Sequence, residues 1–154
     1  MKPQRVFGAY TFQRLALIRP ETEGHGQILQ YSPHARFANR RNLPLHAYGS
    51  GPFCRFSIPG LPTSAGVYVI TAASVFKYIG ECADLAERFG SRGYGLISPR
   101  NCFVGGQSTN CRINHLILTQ ARDGALLELW FTSVSSRKSI ERELLSGLNP
   151  PWNI

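Results

Sequence analysis

From Pro62 onward the apolar residues of the chain fall into short runs with strand or helix period; before it the pattern is weak. Gly66-Val67-Tyr68-Val69-Ile70 and Val75-Phe76-Lys77-Tyr78-Ile79 are rich in β-branched and aromatic residues. The intervening Thr71-Ala72-Ala73-Ser74 can turn, so the two runs predict a hairpin with Tyr68 and Tyr78 on neighbouring strands. Residues 83–89 read as a short helix closed by Gly90. A glycine-rich loop from Ser91 to Gly106 follows, carrying Arg92, Tyr94 and Arg100. A second helix is expected from about Ser108 to Arg122, with Ile113, Leu116 and Ile117 inward and Asp123-Gly124 ending it. Leu126 to Val134 predicts a third strand, and Ser136 to Gly147 a last helix stopped by Asn149-Pro150-Pro151. This order describes an α/β (α+β) domain, a small mixed β-sheet flanked by helices.

Residues 1–61 pattern differently. They are rich in Arg, Gly and Pro, with one short apolar stretch at Leu15-Ala16-Leu17-Ile18, and read as a basic N-terminal arm or accessory segment ahead of a folded domain at 62–154. No internal repeat is present. A hydrophobic fraction of 43% against 17% charged residues describes a chain that packs a core. The net charge of +8 makes polyanions plausible partners. That charge is lopsided: residues 1–60 hold eight Lys/Arg against two Glu, whereas 61–154 hold nine against seven Asp/Glu. The run Pro33-His34-Ala35-Arg36-Phe37-Ala38-Asn39-Arg40-Arg41-Asn42 interleaves cations with an aromatic and amides, a mix suited to phosphate and groove contacts and equally to a solvated loop.

Cys54, Cys82, Cys102 and Cys111 form no CxxC pair and have no histidine at finger spacing, which argues against zinc. Nothing after Met1 has the apolar core of a signal peptide or the ~20 apolar residues of a membrane span. Reduced thiols in a cytoplasmic protein is the expectation. His25, His34, His46 and His115 are given no catalytic role; His34 and His46 are candidate DNA contacts.

Three side-chain types stand out on the predicted elements. On the last helix Glu141 falls inside the apolar arc of Ile140, Leu144, Leu145 and Leu148, while Glu143 faces away. A carboxylate there needs compensation, either from a cation such as Arg137 four residues earlier or from a divalent metal. Arg88 has Asp84 four residues before it, so a surface ion pair competes with a position over the hairpin tyrosines. Tyr68 and Tyr78 taken singly are ordinary strand aromatics.

Together they carry more. Tyr78 stands ten residues after Tyr68, Arg88 ten after Tyr78, and Asn153 twelve after Glu141. Gly66-Val67-Tyr68, Tyr78-Ile79-Gly80, Arg88, Glu141 and the closing Leu148-Asn149-Pro150-Pro151-Trp152-Asn153 stand at the spacings of the GIY-YIG nuclease family, which the chain resembles from about residue 62 to its end. The stretch from Gly90 to Asn114 is also similar to stand-alone bacterial and phage members, some of whose relatives are restriction endonucleases.

That resemblance implies a DNA endonuclease that hydrolyses phosphodiesters with Mg²⁺ (or Mn²⁺). By position, Glu141 would ligate the metal, Arg88 would hold the scissile phosphate, Tyr68 would activate water, Tyr78 would position phosphate or water, and Asn153 would brace the site. The family usually has His or Tyr four residues after the arginine; here that position is Arg92, and Tyr94 comes two later. Either Tyr94 takes the proton-carrying role or Arg92 is a second phosphate clamp. Arg36, Arg40, Arg41, Lys77, Arg92, Arg100 and Arg112 are the candidate nucleic-acid contacts. Double-stranded DNA is the expected partner, no membrane is involved, and a single site cutting both strands calls for a homodimer or two visits. A non-cleaving DNA-binding protein that keeps the fold, and a structure-selective repair or recombination nuclease, stand as alternatives.

Overall fold

The computed structural model describes residues 2–154. Five strands form one sheet in the order β1-β2-β5-β3-β4, built from Gln4–Phe7 (β1), Tyr10–Leu17 (β2), Gly66–Ala72 (β3), Val75–Cys82 (β4) and Leu127–Ser133 (β5). The helices are Leu85–Arg88 (α1), Ser108–Arg122 (α2) and Arg137–Leu148 (α3). The fold is therefore α+β, as the pattern from residue 62 predicts. The sheet is not mixed in strand direction, however, because every pairing in it is antiparallel. β3 is buried along its whole length between β5 and β4, which is why it reads as an unbroken apolar run. The β3–β4 connection is the two-residue Ala73-Ser74, both at positive φ, and its twist matches that of a tight hairpin.

The chain divides into two compact units, and the division does not fall at residue 61. The first unit takes the residues up to Ile18, Ile58–Arg88 and Gly124–Ile154; the second takes Arg19–Ser57 and Phe89–Asp123. The basic arm is thus shared out: its first residues supply β1 and β2, and β2 pairs with β5 over a separation of more than a hundred residues. Only that partner makes residues 10–17 a strand. Arg14 lies on it opposite Trp130, and its guanidinium reaches the buried Glu128 at 2.8 Å, so a charge that breaks the apolar alternation in sequence is neutralised in the fold.

In the first unit, Phe7, Phe12, Val67, Val69, Ile79, Trp130, Ile140 and Leu144 form the core between the sheet and α3. Strand alternation puts Val67, Val69 and Ile79 on the α3 side, hence Tyr68 and Tyr78 on the opposite face. In the second unit, the buried Asn114 of α2 ties separate segments together. Its oxygen accepts the Cys54 N–H at 2.9 Å, and its Nδ2 donates to the carbonyls of Cys54 and Tyr94 at 2.9 and 2.7 Å. All four cysteines are free and buried. Among the described residues no helix is long and apolar enough to cross a membrane.

Candidate active site

Both motif glycines are there because neighbouring groups occupy the space of a side chain. Gly80 lies opposite Tyr68 in the β3–β4 ladder, and a Cβ on it would collide with the Tyr68 phenol. A Cβ at Gly66 would meet the Thr132 carbonyl and, at 2.7 Å, the Phe131 ring of β5. With position 80 bare, the Tyr68 ring lies across β4 and comes within 6.2 Å of the Tyr78 ring, centroid to centroid.

Arg88 arrives from α1. Asp84 starts that turn by accepting the Glu87 N–H on Oδ1 at 2.9 Å, and its carbonyl accepts the Arg88 N–H at 3.1 Å. The guanidinium reaches back to the sheet, where Nη1 donates to the Tyr68 hydroxyl at 3.2 Å. Arg88 therefore points over the hairpin tyrosines, the sharper of the two expectations for it.

Glu141, half-buried on α3, completes the group. Burial pushes its carboxyl above the usual range, and the negative charge of Glu81 adds to this, while the Glu81 main-chain N–H and the Arg88 charge pull the other way. Arg137 does not compensate Glu141. It donates instead to Glu81 Oε2 of β4 at 2.8 Å. Glu143 on the exposed side of α3 hydrogen-bonds Tyr10.

Asn153 is held against the same strand. β4 is a sheet edge, and its outward-facing main-chain groups need partners. The Lys77 carbonyl accepts the Trp152 N–H at 2.8 Å. The Asn153 amide does the work of a strand at Ile79, accepting its N–H at 3.0 Å and donating to its carbonyl at 2.8 Å. Two residues on, the Glu81 N–H faces the Glu141 carboxylate. The turn after α3 makes this reach feasible: Asn149 adopts the left-handed conformation, and Pro150-Pro151 stop the helix and redirect the chain. Tyr68, Tyr78, Arg88, Glu141 and Asn153 are thus assembled around the β3–β4 hairpin of one unit.

No family model and no curated protein sequence matches the chain significantly. Among solved structures, a glutamate-to-alanine mutant of bacteriophage T4 EndoII matches with a TM-score of 0.51 at 20% identity, over 73% of this chain and 87% of that one. EndoII is a GIY-YIG-type nuclease. The chain has the GIY-YIG nuclease fold.

On that GIY-YIG frame the remaining sequence candidates take separate positions. Lys77 is half-buried on the motif strand β4. Tyr94, Arg92, Arg100 and Arg112 belong to the second unit. The Tyr94 ring is buried and packs edge to face on Phe89 at 5.1 Å, so it is a core side chain of that unit, and its loop is pinned by Asn114. Arg92 is exposed. Arg112 lies over the Tyr48 ring at 5.9 Å. Arg40, Arg41 and Arg100 line one hollow of about 200 Å³ with Phe37, Asn39 and Leu43, and no carboxylate is in its wall. The loop there is closed by the Asn39 amide, which bonds the Leu43 N–H and carbonyl at 2.8 and 2.9 Å. Arg36 lies outside this hollow, exposed at the end of the 3-10 turn Pro33–Arg36. His46 is held by the main chain, with Nε2 at 2.5 Å from the Asn101 carbonyl and Nδ1 accepting the Tyr48 N–H.

Glu81 is the site residue that the motif spacing passes over. Strand alternation from Ile79 places it on the α3 face, but which cation it meets is a tertiary fact. The group fits a hard divalent cation. Glu141 offers carboxylate oxygens in a position where burial, and after it the Glu81 charge, already disfavours ionisation. Mg²⁺ accepts one or two carboxylates with water and phosphate oxygens in the other places. Among the described residues no set of three or more His, Cys, Asp or Glu side chains forms a closed metal cage.

Proposed function

We propose that the protein is a metal-dependent DNA endonuclease. The observation that carries this reading is the Arg88 guanidinium bonded to the Tyr68 hydroxyl at 3.2 Å, beside a half-buried Glu141 whose carboxyl is raised by burial and by Glu81. A phenol oxygen bonded to a guanidinium, and a carboxylate within reach of that guanidinium's charge, are the parts that phosphodiester hydrolysis uses. The shared fold with EndoII supports the same class of chemistry.

Arg88 binds a non-bridging oxygen of the scissile phosphate and offsets the charge that grows on it. As phenolate, its own proton given up to solvent and its negative charge held by the Arg88 guanidinium on the same oxygen, Tyr68 takes the proton of the attacking water and becomes the neutral phenol. Tyr78, on the same face of the hairpin, fixes the approach of water or phosphate. Glu141 would hold Mg²⁺ or Mn²⁺, which supplies Lewis-acid polarisation of the phosphate and stabilises the leaving 3′ oxygen. Asn153 keeps the motif strand in place. Arg40, Arg41 and Arg100 supply sequence-independent phosphate contacts on the second unit. A cytoplasmic setting keeps the four buried thiols reduced.

The test is purified protein on supercoiled plasmid, with Mg²⁺ or with EDTA, beside Arg88→Ala and Glu141→Gln. Cutting should require the metal and fall about 10²–10³-fold in each variant. Discrete fragments would identify a restriction enzyme, which reads sequence; branched or flap substrates cut in preference would identify a structure-selective nuclease. Binding without cutting on every substrate and metal would leave a DNA-binding protein on a nuclease fold.

A further inference from the structure

Helix α3 places Arg137 one turn ahead of Glu141, the spacing at which an arginine and a glutamate of one helix meet. Such a pair would tie up the carboxylate oxygens that a divalent cation needs, and would set a positive charge beside that cation. The structure sends Arg137 elsewhere. Its Nη1 donates to Glu81 Oε2 at 2.8 Å, with both side chains about three-quarters buried.

We propose that Glu81 is a positioning residue for the cation site, its carboxylate holding Arg137 away from Glu141. The inference rests on Glu141 being the cation's ligand. Glu81 stands at the next outward position of the edge strand after Ile79, the residue that Asn153 holds, so its place follows from the same strand register. Removing the Glu81 side chain leaves Arg137 without its acceptor and one helical turn from the next carboxylate, Glu141.

The experiment measures Mn²⁺ binding to the full chain without DNA, from the loss of the free-ion electron paramagnetic resonance signal, at constant ionic strength. Glu81→Ala should weaken binding about tenfold or more, as loss of an outer-sphere partner does. Arg137→Ala alone should leave it within about twofold of the parent, because Arg137 is already held off. The double variant should recover to near the parent, a non-additive result. Thermal melts of each variant check that the fold is intact.

Four outcomes overturn the proposal. A double variant as weak as Glu81→Ala would make Glu81 a ligand or a structural strut. Arg137→Ala tightening binding by the factor that Glu81→Ala loosens it would reduce the pair to an additive field. Unchanged binding in Glu81→Ala, with binding lost in Glu141→Gln, would sink this inference and leave the nuclease reading standing. If Glu141→Gln itself binds Mn²⁺ like the parent, the cation lies elsewhere and both readings fall together.

Discussion

At the scale of single residues, Glu141 shows how a candidate catalytic side chain works against the fold that holds it. It sits half-buried with the Glu81 charge nearby, and both disfavour its ionised form, so its carboxyl is raised. A carboxyl raised in the folded state carries a penalty at neutral pH that fades as pH falls through its folded value and is gone below its unfolded one. Glu141→Gln should therefore raise the melting temperature at pH 7 in EDTA while removing cleavage. The gain should stay under about 1 kcal/mol, since solvent screens a half-exposed group, or ~2–4 °C for a chain of this size. Melts repeated near pH 4 should show the difference closing; a gap that persists or widens on acidification would contradict the assignment. Gly80 is the complementary case: it contributes nothing chemically, and it is required because Tyr68 lies where its side chain would be.

At the scale of elements, β4 joins stability to chemistry. An edge strand exposes main-chain donors and acceptors, and here those at Lys77, Ile79 and Glu81 face Trp152, Asn153 and Glu141. Asn153 and the Trp152 main chain thereby hold the strand that carries Tyr78 and Gly80. Asn153→Ala removes two hydrogen bonds and should destabilise the protein by about 1–2 kcal/mol. Amide hydrogen exchange at Ile79 should accelerate by more than the roughly 5–30-fold that such a global loss gives, while amides of the interior strand β3 follow only the global loss. Equal acceleration at β3 and at Ile79 would mean that the contact is not local to the edge. The motif spacing made Asn153 visible, but its bond to Ile79 was not legible, because no local pattern encodes which strand will be an edge.

At the scale of the whole molecule, charge is distributed by unit. The second unit gathers Arg40, Arg41 and Arg100 around a hollow with no carboxylate in its wall, and among the described residues none of the three forms an ion pair. If these side chains neutralise backbone phosphates, replacing all three with alanine in a Glu141→Gln background should lessen the salt dependence of DNA binding. The slope of log K against log salt, taken between about 50 and 200 mM, should fall in magnitude by about 2–3, close to one per phosphate contact. An unchanged slope would return the loop to the solvated reading that the sequence left open.

What the sequence by itself determined is the part written in short-range code. Strand and helix periods after Pro62 placed β3, β4, α2, β5 and α3 within a few residues of their observed ends. The intervals linking Tyr68, Tyr78, Arg88, Glu141 and Asn153 picked out the residues of one unit. What only the tertiary structure decided depends on partners far away in the chain. β2 is a strand because β5 lies beside it, and Arg14 is tolerated there because Glu128 receives it. The arm divides between two units because its first residues complete a sheet while Arg19–Ser57 pack with Phe89–Asp123. Arg137 could have met Glu141 on its own helix and meets Glu81 instead. Periodicity reports which face a residue takes, since that follows from the backbone's own geometry. It does not report which distant group will stand opposite, and that choice decides whether a buried charge is neutralised or left free to act.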